Sequence, residues 1–421
     1  MSLAIAGMGW VTPLGSGIDS VWKRLLQGHE ASATTVSESV SDRRYTTFRV
    51  PESALTGFAH SRLRRASVIS RFAAAAGLEA LHNAGVKLDS QSAERTALIF
   101  AISNGGVIYT KRFYRDILEA GAQSASPLLF PETVFNASAS HLAAILGITG
   151  ASYTLVGDGA VGVAAIKMAE DMMANDGLDY CVVVGTEEVD WLLCDAYRRW
   201  RLLRSAPPIE PFCNQRRGMI LGEGAGAILF AREGAITVER THAGGFFTKR
   251  AQAVEILTAI LRDLGHSEID LVISSANGTF VDQAEHAALE EILPDVLVYT
   301  GKPALGESVG AAALWQVILA AHFRMRARKY RKRARQLFLA ADLTSRQQGY
   351  DSQFADESHQ RSGTSLQFNF PSSISSHATL GGAPWLARVT QPGFRNKTFP
   401  RLSCRGTCVC PCSTTSTSSG E

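Results

Sequence analysis

Residues 153–166 read Y-T-L-V-G-D-G-A-V-G-V-A-A-I, a short apolar strand leading through a glycine turn into an Ala-rich helix. An elbow of this kind lifts one side chain above a helix N-terminus, whose partial positive charge favours an anionic nucleophile. The apex position is Gly159, which offers no reactive atom, so a scaffold suited to nucleophilic chemistry is present without its nucleophile. A second strand–turn–helix unit follows at Thr300–Gly310, with glycines at 301, 306 and 310 opening a helix at Ala311–His322. It carries Lys302 and Glu307, and the segment N-G-T-F-V-D-Q-A-E (Asn277–Glu285) lies just upstream.

Other side chains could supply the missing chemistry, and each has an ordinary structural reading beside it. Asp158 adjoins the vacant apex, but a carboxylate is a poor acyl carrier and a good helix cap. Cys181 lies in the apolar run D-Y-C-V-V-V and reads as a buried thiol; Cys194 reads likewise, and Cys213 is a weaker candidate for reactivity. His141 and His286 both fall on expected helices as partly exposed side chains. Cys404, Cys408, Cys410 and Cys412 crowd the end of the chain, yet they lack the two separated C-x-x-C pairs of a zinc site. No metal or cofactor is expected.

The elements around these positions alternate. Strands are expected at Leu3–Ala6, Thr96–Ala101, Tyr153–Val156, Tyr180–Val184, Gly226–Phe230, Leu271–Ser274 and Val296–Tyr299. Helices are expected at Ser20–Leu26, Ser67–Ala84 (closed by Gly85), Ala137–Leu146, Val163–Ala174, Gln252–Leu264, Gln283–Ile292 and Val309–His322. Alternation of this kind argues an α/β fold with helices layered on sheets. The chain has 421 residues, 46% hydrophobic and 19% charged, the composition of a globular protein. No run approaches the roughly 18 apolar residues of a membrane span. The opening M-S-L-A-I-A-G-M-G-W-V lacks a basic leader and reads as a first strand, so the expectation is a cytoplasmic protein with no membrane partner.

Net charge is +3, but it is unevenly placed: from Arg324 onward 15 Lys and Arg face 5 Asp and Glu, leaving residues 1–323 at about −7. The run R-M-R-A-R-K-Y-R-K-R-A-R suits a solvated helix end leading into a Ser/Pro/Cys-rich tail better than a nucleic-acid site. No nucleic-acid partner is expected. The expected units are residues 1–235, residues 236–323, and a basic then low-complexity tail at 324–421, disordered or outside the fold.

Six segments, in order, resemble the β-ketoacyl synthase (condensing enzyme) family. They are I-A-G-M-G-W-V-T-P-L-G (5–15), W-K-R-L-L-Q-G (22–28), P-L-L-F-P-E-T-V-F-N-A-S-A-S-H (127–141), R-R-G-M-I-L-G-E-G-A-G-A-I-L-F (216–230), N-G-T-F-V-D-Q-A-E and K-P-A-L-G-E-S-V-G-A-A-A (302–313). The resemblance implies a thiolase-like layered fold with two similar βα halves, the second incomplete because the family's closing strands and glycine-rich turn are not legible after Arg324. It also implies a catalytic cysteine on the elbow and two histidines. Gly159 stands in the cysteine position, Asn277 and Glu307 in the histidine positions, and only Lys302 matches; the family's P-F-D is here Pro211-Phe212-Cys213.

That pattern of loss resembles the chain-length-factor branch, although glutamine is common there at the nucleophile position. The implied function is a catalytically degenerate synthase homologue pairing with an active ketosynthase and working with an acyl carrier protein, in polyketide, aryl-polyene or fatty-acid biosynthesis. The implied interface is the 127–141 segment, with Phe130, Val134, Phe135 and Asn136. Two alternatives stand beside it: an enzyme that decarboxylates malonyl-acyl-carrier protein without condensing, and an inactive ketosynthase whose reading frame changes near Arg324. Glu307 is expected to place a repulsive charge where an enolate would develop unless Lys302 neutralises it.

Overall fold

The computed structural model describes residues 3–38, 42–58, 60–175, 177–213, 217–242, 244–265, 269–329, 337–340 and 386–390. Its strands are β1 (Leu3–Thr12), β2 (Gly15–Ser16), β3 (Ala33–Ser37), β4 (Arg44–Phe48), β5 (Thr96–Ile102), β6 (Ser152–Val156), β7 (Tyr180–Glu187), β8 (Leu221–Gly222), β9 (Gly224–Ala231), β10 (Thr237–Thr241), β11 (Leu271–Ile273), β12 (Leu297–Tyr299), β13 (Leu337–Ala340) and β14 (Leu386–Thr390). The helices are α1 (Ile18–Leu26), α2 (Val68–Ala84), α3 (Ser90–Glu94), α4 (Val107–Ala120), α5 (Ala137–Leu146), α6 (Val161–Asn175), α7 (Trp191–Arg199), α8 (Gln252–Leu264), α9 (Val281–Ile292), α10 (Lys302–Leu305) and α11 (Ala312–Lys329).

One large sheet runs in the order β12-β11-β13-β14-β10-β1-β9-β7-β5-β6, with β2 paired to β1. β5 shows why its sequence is apolar without alternation. Ala97, Ile99 and Ala101 face the core shared with α6 and α11, while Leu98, Phe100 and Ile102 face the core shared with α2 and α5. A strand covered on both faces needs apolar side chains at every position. Phe100 is fully buried, so truncating it to alanine would cost about 3–5 kcal/mol. The first 11 residues of α11, Ala312–His322, are buried on every side, as a helix apolar all round must be. A third core, built on α7, α8 and α9, covers the β11 side of the sheet.

Local signals hold where they were strongest. Ser67 caps α2 by accepting from the backbone of Ser70, and Gly85 closes it in the left-handed conformation at φ 67°. Three features go beyond the sequence reading. A small second sheet, β3-β4-β8, forms from Thr-rich strands. α4 forms although none of its side chains is fully buried. The elements also continue past 323: α11 extends to Lys329, and the 337–340 and 386–390 segments join the sheet. β13 pairs parallel with β11 and antiparallel with β14, and β14 pairs antiparallel with β10. These two strands fill the gap between the halves of the sheet, which would otherwise leave the edges of β10 and β11 unpaired. These segments, L-F-L-A and L-A-R-V-T, are only four and five residues long and gave no periodicity to detect. The four tail cysteines lie outside the described residues.

Candidate functional site

β6 ends at Val156, and the chain turns through Gly157–Ala160 into α6, so Gly159 sits, buried, in the turn that enters the helix. Asp158 takes the structural role: its Oδ1 accepts from Ala160 N at 3.1 Å and its carbonyl accepts from Val161 N at 2.9 Å. Further along α6, a Cβ on Gly162 would lie 2.7 Å from Leu314 and 2.9 Å from Ala313. Glycine there lets α11 press against the elbow helix, and α11 follows directly on the turn that carries Glu307.

That turn holds the chemistry. Lys302 opens α10, and Gly306, at φ 75°, reverses the chain into Glu307. The Lys302 Nζ donates to Glu307 Oε1 and Oε2 at 2.5 Å each, and the side chains are 5% and 0% exposed. Asn277 Nδ2 donates to Glu307 Oε2 at 2.8 Å. Backbone bonds fix the carboxylate's position: Glu307 N donates to Ile220 O, and Gly222 N donates to Glu307 O, both at 2.8 Å. The sequence separates these three side chains by up to 30 residues, and the fold brings them into one buried, charge-balanced triad. Lys302 therefore neutralises Glu307, and Asn277 spends its amide on the same carboxylate. Both the Lys302 ammonium and the Asn277 amide are thus directed at Glu307.

Two residues of the N-G-T-F-V-D-Q-A-E segment contribute without having been singled out. Asp282 accepts from Asn277 N at 2.9 Å, Gly278 N at 2.8 Å and Phe212 N at 3.0 Å. It fixes the Asn277 turn and ties the Pro211-Phe212-Cys213 segment to it, with Phe212 at φ 60°. Glu285 is buried, accepts from Ser275 Oγ at 3.1 Å, and burial pushes its carboxyl up to about 7. The only advance signal was their place in a quoted motif.

A second buried acidic group went unforeseen. Glu187, at the end of β7, accepts from Asn104 N at 3.3 Å, and its Oε2 has no hydrogen-bond partner. Burial raises its carboxyl to about 8 and that of neighbouring Glu188 to about 7. In the sequence G-T-E-E-V-D these acids looked like an ordinary strand end.

The remaining candidates are structural. Cys181 and Cys194 are buried, and burial pushes both thiols up to about 12, far from a reactive thiolate. Cys213 is half-buried. His141 meets Glu132 at 2.7 Å, and exposed His286 pairs with Glu290. Among the described residues no group of three or more His, Cys, Asp or Glu side chains is placed to hold a metal ion, and no helix is long and apolar enough to cross a membrane.

The 127–141 segment lies at the surface. Leu128, Phe130, Val134 and Phe135 are 44–64% exposed, Asn136 is exposed and Leu129 is half-buried. β6 is the edge strand of the sheet and leaves Tyr153 and Val156 exposed, while Tyr114 and Leu118 of α4 add to the exposed apolar surface.

The profile of "Beta-ketoacyl synthase, N-terminal domain" matches residues 2–235, more than half of the chain. This chain belongs to the β-ketoacyl synthase family. Among curated relatives, "Nodulation protein E" of Rhizobium leguminosarum bv. trifolii is 25% identical over 343 residues, covering 75% of this chain and 84% of that one. "3-oxoacyl-[acyl-carrier-protein] synthase 2" of Vibrio cholerae serotype O1 is 24% identical over 353 residues with the same coverage. Two solved structures share the fold over 93% of this chain. One is "The ishigamide ketosynthase/chain length factor", at TM-score 0.70, 17% identity and 99% of its own chain. The other is "Ketosynthase (ApeO) in Complex with its Chain Length Factor (ApeC) from Xenorhabdus doucetiae", at TM-score 0.69, 16% identity and 98% of its own chain. The thiolase-like α/β architecture of this β-ketoacyl synthase homologue is thereby shown.

Proposed function

We propose that this β-ketoacyl synthase homologue does not condense, and that it serves as the chain-length-factor-like partner of an active ketosynthase in acyl-carrier-protein-dependent synthesis of polyketide, aryl-polyene or fatty-acid chains. The observations that carry the reading are the closed Lys302–Glu307–Asn277 triad and an elbow whose turn carries Gly159. Covalent acyl transfer needs a nucleophile, and glycine has none. Enolate stabilisation needs free donors, and here the cation and the amide are both committed to a buried carboxylate.

The decarboxylase alternative needs those same donors and gains no support from this geometry. A reading-frame change near Arg324 is compatible with either role, and the coding DNA read in the other frames across that point tests it.

The exposed apolar surface supports a partner role. Phe130, Val134 and Phe135, with Tyr153 and Val156 of edge strand β6, form the kind of apolar face that marks an interface. A permanent interface of this class buries upwards of roughly 2,000 Å². The test is co-expression with an active ketosynthase of its own host, followed by size exclusion. A stable heterodimer is expected, released by Val134→Asp and Phe135→Asp. A well-folded monomer that ignores every ketosynthase of its own host refutes the role.

A further inference from the structure

Three arginines converge on one carboxylate at the junction of β4 and α7. Asp195 is 9% exposed at its side chain. Its Oδ1 accepts from Arg43 Nη1 at 3.2 Å, Tyr45 Oη at 2.9 Å, and Arg198 Nε and Nη2 at 3.0 and 2.9 Å. Its Oδ2 accepts from Arg199 Nε at 2.7 Å. Hydrogen bonds from Arg198, Tyr45 and Arg199 hold this carboxyl far below the usual range, so it is ionised at any ordinary pH. None of the three arginines has another ion-pair partner among the described residues, and they are 52%, 43% and 71% exposed. One anion against three cations leaves a fixed surplus of two positive charges at the surface.

The cluster is pre-organised. The buried acceptor holds one edge of the Arg198 guanidinium through two N–H groups and tethers Arg43 and Arg199 through one N–H each, so the outward N–H groups are restricted before anything binds, which lowers the entropic cost of engaging them. An independent feature points the same way. α7 ends with Arg201 N donating to Arg198 O and Leu202 N donating to Tyr197 O, a turn whose left-handed position is ordinarily glycine. Here that position is Arg201 at φ 57°, exposed, a left-handed conformation that non-glycine residues rarely adopt.

We propose that Arg43, Arg198 and Arg199, organised by Asp195, form a binding site for a compact phosphate dianion. A phosphate monoester carries close to two negative charges at neutral pH and accepts forked guanidinium bonds. This inference stands apart from the partner role proposed above.

The test is titration of the full chain with inorganic phosphate at pH 8 and low salt, read on the arginine Nε–H resonances, with sodium chloride at matched ionic strength as the control. Saturable binding is expected, weakened at least tenfold by the Arg198→Gln/Arg199→Gln double variant, whose side chains are exposed enough to leave the fold intact. Asp195→Asn separates a built site from bulk charge: it raises the surplus to three, yet binding should weaken because the fork loses its anchor. Glycerol 3-phosphate and a phosphoserine peptide then distinguish the source. Equal affinity assigns a soluble phosphate ester, and tenfold tighter peptide binding assigns a phosphate carried on a protein. No saturable shift in the wild type, unchanged binding in the double variant, tighter binding by Asp195→Asn, or tighter binding of an unphosphorylated Glu-rich peptide than of phosphate would each overturn the proposal.

Discussion

Lys302→Met probes the triad directly, because it deletes the cation and keeps much of the volume. Nζ lies 2.5 Å from both Glu307 oxygens, and the pair is 5% and 0% exposed, so water cannot replace the lost partner. Breaking a buried ion pair from one side costs about 3–5 kcal/mol, since the remaining charge stays buried. Asn277 still donates to Glu307, and a hydrogen bond to a charged group is worth about 1.5–3 kcal/mol, so the lower end, about 3 kcal/mol, is expected. That corresponds to more than a 100-fold loss in the folding constant. Adding Glu307→Gln removes the stranded charge and should recover about 2 kcal/mol, a coupling that a double-mutant cycle reads out. The assay is equilibrium urea unfolding followed by tryptophan fluorescence, with Trp10 and Trp315 buried in the core as reporters. If Lys302→Met costs less than about 1 kcal/mol and the two substitutions are additive, the pair is not a dry ion pair. Closure of this site to oxyanion chemistry would then be refuted as well.

Other outcomes follow from the same geometry. Wild-type protein incubated with acyl-CoA or acyl-carrier protein should show no acyl adduct within residues 157–162 by intact mass and peptide mapping. Gly159→Cys should restore a thiol but not condensation, because Lys302, Glu307 and Asn277 remain locked together; appreciable turnover by the single variant would falsify the closed-site reading. Burial raises Glu187 from an ordinary value near 4.5 to about 8, so the folded state holds this proton more tightly than the unfolded chain does. Its stabilising contribution is complete below pH 4.5 and disappears as pH climbs to about 8, a difference on the order of 5 kcal/mol. Urea midpoints should therefore fall between pH 6 and 9, and Glu187→Gln should flatten that fall; an unchanged slope in the variant would assign the pH dependence elsewhere.

What the sequence determined by itself was the set of local units and the presence of a glycine, Gly159, in the turn of the elbow. The glycines and apolar run around residues 153–166, the cap at Ser67 and the αL glycine at 85 are decided by steric and hydrogen-bonding rules that act within a few residues. The absence of a nucleophile at Gly159 needs no structure to be read. Tertiary structure alone decided the meaning of Glu307. From the sequence it reads as an unbalanced negative charge, and only the convergence of Lys302 and Asn277 makes it the centre of a satisfied triad. The same holds for Glu187, whose raised carboxyl arises from burial between elements distant in the chain, and for Asp195, which gathers Arg43 from 152 positions away. Strands β13 and β14 were invisible for a related reason: four or five residues of modest hydrophobicity carry too little pattern, and only the open edges of β10 and β11 specify where they pair. Side-chain charge and burial are properties of the assembled fold, and no spacing along one chain reports them.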